Sequence, residues 1–254
     1  MLIRLSTGIA GLDKMMNGGL IAQRPYIVTG DEGSGKTILA LQFMLEGIKK
    51  GENVLYVAID EPPSEIKENA KVFGWDLSNF VILDATPEIS SLKKSKHVQE
   101  VRALGDVKVM KDIDEIKKSS SENPYELSIQ SIYVKLSKEL ERVKYHRVVV
   151  DSLTALRLFA FRNSSLNAER VELQSFLRFL SESETTSLLI TSIPREDDIP
   201  AEFVLSRGEI RLFKQRVGGE IRRGIAVMRY RGSAHDTSIR PFAITSKGIE
   251  VYTQ

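Results

Sequence analysis

The chain has 254 residues, 42% hydrophobic and 28% charged, enough to bury one sizeable α/β core in a single domain over 1–254. Its 36 Lys and Arg against 34 Asp and Glu leave a net charge of +2, so no overall field directs it to nucleic acid or a membrane, and any anion site must be local. The lack of cysteine excludes disulfides, thiolate zinc sites and a Cys nucleophile, while three scattered histidines (His97, His146, His235) do not make a metal site. No signal peptide and no apolar run near the ~18 residues of a membrane span are present, so a soluble, cytoplasmic protein is expected.

The first segment, Leu5 to Asp13 and then Asn17-Gly-Gly-Leu20, has glycines bracketing a helical turn over 12–16. It predicts a lid or brace ahead of the first core strand rather than a core element. Next, Tyr26-Ile27-Val28 leads into Gly30-x-x-x-x-Gly35-Lys36-Thr37 and the helical spacing Ile38, Leu41, Leu45, Ile48. A strand, a glycine-rich loop and a helix in this order are the setting a P-loop requires. Gly30, Gly33 and Gly35 let the backbone turn its N–H groups inward on a phosphate. Lys36 brings a compact positive charge to the β and γ phosphates, the Thr37 hydroxyl suits Mg²⁺, and the helix N-terminus adds partial positive charge.

Gly51 stops that helix, and the apolar run over 53–59 ends in Asp60-Glu61. Such a run is a strand buried on both faces, hence part of a parallel sheet. Pro62-Pro63 opens a helix with Ile66, Ala70 and Phe73 on one face, and 80–84 is a third strand. From 85 to 125 the chain turns polar, Lys-rich and Ser-rich, which reads as a surface insertion with one short strand over 107–110. Ile129, Ile132, Leu136, Leu140 and Val143 restore helical spacing before a fourth strand over 147–151. Leu173, Phe176, Leu177 and Leu180 mark a long helix ahead of a fifth strand over 187–192. This alternation predicts an α/β fold with a mostly parallel sheet and helices on both faces. Short strand candidates over 209–213, 222–230, 242–245 and 248–252 predict a C-terminal antiparallel extension.

Hydrolysis needs more than a P-loop: a metal-holding carboxylate and a group that orients water. Asp151 closes an apolar strand and would emerge at the C-terminal edge of the sheet, the Walker B position, although a strand-end acid can also cap the next helix. Asp60 and Glu61 leave their strand at the same edge, where ligands of open α/β sheets sit, and suit a general base or water-orienting role. They can equally complement the dipole of the helix they precede.

Taken together, Ser6-Thr-Gly-Ile-Ala-Gly-Leu-Asp13, Gly18-Gly19-Leu20, the P-loop, Asp60-Glu61-Pro62, Phe73-Gly-Trp-Asp-Leu77, Val149-Val-Asp-Ser-Leu153, and Arg231-Gly-Ser-Ala-His-Asp236 followed by Arg240-Pro241-Phe242 resemble a KaiC-like ATPase of the RecA superfamily, of the single-domain archaeal type. The resemblance covers nearly the whole chain. It implies a RecA-like P-loop NTPase core that assembles as a ring, commonly a hexamer, with ATP between subunits. Gly30, Asp31, Glu32, Gly33, Ser34, Gly35, Lys36, Thr37 and Ile38 would hold the nucleotide, and Thr37 and Asp151 the Mg²⁺. Asp60 and Glu61 fall on paired catalytic glutamates of the family, with Glu61 the better match because Asp60 is shorter. Arg229, Arg231 and His235 align with a K-x-R-G-x-x-H segment that reaches the nucleotide of the neighbouring subunit, the Arg at 229 changing the donor geometry.

The sequence departs from the two-domain clock member of the family. Phe203 and Val204 stand where that protein has its autophosphorylated Ser-Thr pair, so clock-type autokinase activity is not expected. Arg207 replaces a usual Asp, and Thr191-Ser-Ile-Pro194 lacks the usual glutamate. The function expected is a slow, Mg²⁺-dependent, ring-forming regulatory or assembly ATPase, with an unidentified protein partner and no nucleic acid or membrane partner. The alternatives are a recombinase-like DNA-binding ATPase, drawing on the basic tail and Lys93 to Lys96, and an ATP-binding scaffold with negligible turnover.

Overall fold

Alternate side chains of the central strands enter two separate apolar cores, one on each face of the sheet, so these segments read as unbroken apolar runs rather than alternating ones. The computed structural model describes residues 2–86, 129–160, 166–193 and 201–253. From residue 87 on, the expected insertion and its strand over 107–110 lie outside the described residues, as do Lys93 to Lys96.

The first half of the chain forms β1 (Arg4–Leu5), α1 (Ala10–Met15), β2 (Leu20–Ile21), β3 (Pro25–Gly30), α2 (Lys36–Lys49), β4 (Val54–Ala58), α3 (Pro63–Val72) and β5 (Val81–Asp84). The second half forms α4 (Ile129–Arg142), β6 (Arg147–Asp151), α5 (Leu153–Ala160), α6 (Leu166–Glu182), β7 (Thr186–Thr191), α7 (Ala201–Leu205), β8 (Gly208–Val217), β9 (Glu220–Tyr230), β10 (Arg240–Thr245) and β11 (Gly248–Val251). The main sheet has nine strands in the order β11-β10-β9-β8-β3-β7-β6-β4-β5. Tyr56, Val149, Leu188 and Ile190 face α2, packing with Leu39 and Phe43. Leu55, Val57, Val150 and Leu189 face the other way onto Leu136 of α4 and Leu173, Phe176 and Leu177 of α6. The expected α/β sheet with helices on both faces and an antiparallel C-terminal extension is therefore present.

Three expectations need correction. The strand starting near 209 belongs to the parallel part: β8 pairs parallel with β3 from Ile27↔Glu209 to Gly30↔Leu212, and antiparallel pairing begins with β9. Arg207 N–H donates to the Pro25 carbonyl at 2.7 Å, so the chain after α7 enters the sheet at the same end as β3 and must run with it.

Of the stripe Ile38, Leu41, Leu45 and Ile48, Leu41 is buried but the other three are only partly so, and Leu39, Ala40, Phe43, Met44 and Gly47 are buried as well. The helix packs on the central strands β3, β4, β6 and β7 and also on the edge strand β11 of the same sheet, so its apolar arc is wider than the simple spacing.

The N-terminal segment is no lid. Ile9, Leu12, Met15, Met16, Leu20 and Ile21 are all buried in the α2-side core. A Cβ on Gly11 would stand 2.2 Å from the Val251 carbonyl oxygen, so only glycine lets α1 lie against β11. Asp13 fixes the entry to α1 by accepting from the Ser6 hydroxyl (2.6 Å), the Thr7 N–H (2.7 Å) and the Thr7 hydroxyl (2.7 Å).

The sequence gives no warning of one buried cation. Arg147 opens β6 with no exposed surface; its Nε pairs with Glu52, its Nη1 donates to the carbonyls of Ser6 (2.7 Å) and Phe43 (2.8 Å), and its guanidinium lies 4.5 Å from the Phe43 ring centroid. It joins the N-terminal segment, α2 and β6. Removing one partner of a buried pair strands the other charge and its hydrogen-bond acceptors. Arg147→Ala is therefore expected to lower stability by about 3–5 kcal/mol in urea unfolding with an unchanged m-value; a loss below ~1 kcal/mol would contradict this role.

Candidate functional site

The glycine-rich loop leaves β3 at Gly30 (φ 154°), and α2 starts after Gly35 (φ 109°). At Gly30 a Cβ would meet the Leu212 carbonyl oxygen at 2.6 Å and Ser34 Oγ at 2.7 Å, so a side chain would spread the loop from β8. Lys36 Nζ points back across the loop and donates to the carbonyls of Gly30 (2.7 Å) and Asp31 (2.9 Å). Burial pushes its pKa down, opposed by the charges of Asp151, Asp31, Glu32 and Asp60. Asp31, Glu32 and Gly33 are exposed at the tip, and Ile38 sits partly buried in the first turn of α2. Ser34 Oγ is buried without a hydrogen-bond partner among the described residues, an orphaned polar atom inside the cradle.

Asp151 lies where the Walker B reading expects it. Its register partner is Ala58 of β4, and it is 7% exposed. One carboxylate oxygen, Oδ2, accepts from the Thr37 hydroxyl at 2.9 Å and from the Tyr56 hydroxyl at 2.6 Å. Burial raises its pKa, and the hydrogen bonds from Tyr56 and Thr37 pull it back. The capping alternative belongs to the next residue: Ser152 Oγ accepts from the Ala155 N–H at 3.1 Å. The Asp151 carbonyl accepts from the N–H groups of Ile59 (2.8 Å) and Asp60 (3.2 Å), which seats the end of β4 beside it.

Glu61 is only partly exposed, and its Oε2 accepts from Asn69 Nδ2 at 3.1 Å. Burial raises its pKa first, the charge of Asp151 adds to that, and the Asn69 bond opposes it. Thr37, Tyr56, Asp60, Glu61, Ile66 and Asp151 line one cleft, with Asp60 exposed at its edge. This donor set suits a phosphate-bound Mg²⁺: a hydroxyl and a carboxylate, both hard oxygens, beside a backbone cradle with an unsatisfied hydroxyl. Among the described residues no group of three or more His, Cys, Asp or Glu could hold a metal alone. A cation here would share its ligands with phosphate oxygens.

Arg229, Arg231 and His235 lie elsewhere. Arg229 pairs in register with Glu209, and Arg231 N–H donates to the Arg207 carbonyl at 2.8 Å, at the end of the sheet where β3 begins. With a rise of about 3.3 Å per residue along β3, that end is roughly 16 Å from Gly30. Arg229 Nη2 donates to Ser206 Oγ (2.8 Å) while its Nε is buried without a partner among the described residues; burial and then Arg231 push its pKa down. Arg231 is exposed and lines a cavity of about 390 Å³ with Arg24 and Arg207. His235 sits edge-on to Tyr230, ring centroids 6.2 Å apart. The N-terminal segment holds this loop, through Asp236 N–H to the Met15 carbonyl (2.8 Å) and Asn17 Nδ2 to the Ala234 carbonyl (2.9 Å).

Sequence reasoning missed Tyr56, Asn69 and Lys214, whose Nζ donates to the Glu32 carbonyl at 2.8 Å. Tyr56 left a clue, since a tyrosine in an otherwise aliphatic buried strand needs a partner for its hydroxyl. Asn69 left none, because it lies on the exposed face of its helix, and Lys214 shows in the sequence only as one cation of the locally basic tail.

A family model described as the ATPase KaiC matches residues 5–254. A UPF0273 protein of Thermotoga maritima is 30% identical over 263 residues, covering 99% of this chain and 97% of that protein. The circadian clock protein KaiC3 of Synechocystis is 27% identical, over 96% of this chain and 44% of its own length. A solved KaiC-like protein of Pyrococcus horikoshii shares the fold, with a TM-score of 0.76, 22% identity and complete coverage of both chains. No helix of the described residues is long and apolar enough to cross a membrane. With its P-loop, its buried strand-end aspartate and a match over nearly its full length, the chain belongs to the KaiC family of ATPases.

Proposed function

We propose that this protein is a cytoplasmic, Mg²⁺-dependent ATPase of slow turnover that works as a ring, with ATP bound between subunits, and serves a regulatory or assembly role through a protein partner. The observation that carries this is the shared cleft: Thr37 and Asp151 lie 2.9 Å apart beside the P-loop, and Glu61 faces them with a raised pKa. Lys36 and the loop N–H groups bind the phosphates and neutralise charge that develops on them. Thr37 and Asp151 would hold Mg²⁺, which supplies charge neutralisation at the phosphates when bound. Glu61, oriented by Asn69, takes the proton of the attacking water as general base. Asp60 stands beside it at the cleft edge and sets the local potential.

Arg229 and Arg231, with His235, cannot reach the phosphates of their own chain from the opposite end of the sheet. Their position supports contact with the nucleotide of a neighbouring copy. A head-to-tail contact of this kind closes into a ring when its rotation permits.

Purified protein with Mg·ATP provides the test. Lys36→Ala is expected to lose ATP binding, and Glu61→Gln to keep it while phosphate release falls by about 100-fold or more. Arg229→Ala or Arg231→Ala should leave binding nearly intact and reduce only turnover that depends on assembly; a wild-type rate in a strictly monomeric species, by native mass, would refute the trans role.

A pH prediction follows from Glu61. A general base must be deprotonated, so turnover should fall as pH drops through the Glu61 pKa, at a limb above the ordinary carboxylate value of 4.5. Asp60 contributes to that upward shift, so Asp60→Asn should move the acid limb of kcat/KM to lower pH. An unmoved limb would show that another group titrates.

A further inference from the structure

Lys214 and Arg223 stand directly opposite each other on β8 and β9. By strand alternation they share the face on which Leu212 and Ile225 pack into the α2-side core, which is the P-loop side of the sheet. Like charges directly opposite on one sheet face repel, and neither cation forms an ion pair among the described residues. Arg223 Nε is buried and lacks a hydrogen-bond partner there. Lys214 Nζ has only the Glu32 carbonyl, at 2.8 Å, and stands 3.4 Å from where a Cβ on Gly33 would be. Two cations thus stand side by side with no acidic partner among the described residues, and one of them, Lys214, bonds the tip of the phosphate-binding loop. An anion between them and the loop would relieve the repulsion.

We propose that Lys214 and Arg223 form a second cationic contact, in cis, for the phosphate chain of the bound nucleotide, and that this contact favours triphosphate over diphosphate. The proposal rests on the P-loop reading above. Lys36 reaches the phosphates from α2, whereas Lys214 approaches from β8 at Glu32 and Gly33 with Arg223 opposite it on β9, so the nucleotide is gripped from two sides. The additional negative charge of the triphosphate is what the second pair recognises. The hairpin therefore does more than extend the sheet: it reads the phosphate count.

The test compares fluorescent ATP and ADP analogues by equilibrium titration on the full chain, for the wild type and for Lys214→Ala, Arg223→Ala, Lys214→Arg and Lys36→Ala. Lys214→Ala and Arg223→Ala are each expected to weaken the ATP analogue by about tenfold or more, the ADP analogue by less, and to flatten the salt dependence of ATP binding; Lys214→Arg should restore most of the loss. Equal losses for both analogues, or unchanged ATP affinity in variants with the wild-type unfolding midpoint, overturns the proposal. So does a variant that loses assembly by native mass but keeps its ATP affinity, since the pair would then serve a subunit contact. Lys36→Ala separates the two levels: if it still binds ATP, the P-loop reading itself fails, and if it alone loses ATP, only the second contact fails.

Discussion

A carboxylate taken almost wholly out of water tends to pick up a proton, and at Asp151 two hydroxyls that donate to one of its oxygens oppose that tendency. Those hydroxyls belong to Thr37 at the start of α2 and Tyr56 inside β4. The acid, the phosphate loop and the strand that delivers Asp60 and Glu61 are therefore fixed to one another by the same atom. The backbone repeats the connection, because the Asp151 carbonyl accepts the N–H groups of Ile59 and Asp60 as β4 ends. Negative charge on Asp151 acts on its neighbours: it raises the pKa of Glu61 and opposes the downward push of burial on Lys36.

The sheet separates charge by its ends. At the C-terminal ends of the parallel strands stand Asp31, Glu32, Asp60, Glu61 and Asp151, with Lys36 and Lys214 among them. At the other end stand Arg24, Arg207, Arg229 and Arg231. The N-terminal segment secures that second end: Arg4 donates to the carbonyls of Met16 (2.8 Å) and Gly19 (3.1 Å), to the Tyr230 hydroxyl (3.0 Å) and to Ser233 Oγ (2.7 Å). A piece of chain that looks like a flexible brace is in this way a packed support for the loop carrying Arg231 and His235.

Much of this is legible in the amino-acid sequence. Gly30 to Thr37 can be placed because strand, loop and helix signals are local and occur in strict order. The buried strands can be placed because a sheet covered on both faces removes the polar alternation. Asp151 and Asp60-Glu61 can be placed because an acid ending such a run has to emerge at the strand edge. Periodicity fails where neighbours far off in sequence decide. The buried arc of α2 depends on β11, the core role of Leu12 and Met15 depends on α1 lying against Val251, and the direction of β8 depends on where Arg207 meets Pro25.

By itself, then, the sequence determined the fold class, the phosphate loop and the acids along its edge, since each follows from short-range backbone geometry and burial pattern. Only the tertiary structure decided that Tyr56 holds Asp151, that Arg147 is a buried tie, and that Arg229 and Arg231 stand at the far end of the sheet from Lys36. It also brought Lys214 to the tip of the loop and set Arg223 opposite it. Those facts rest on contacts between residues far apart in the chain, whose energies come from burial and hydrogen bonding that local spacing does not encode.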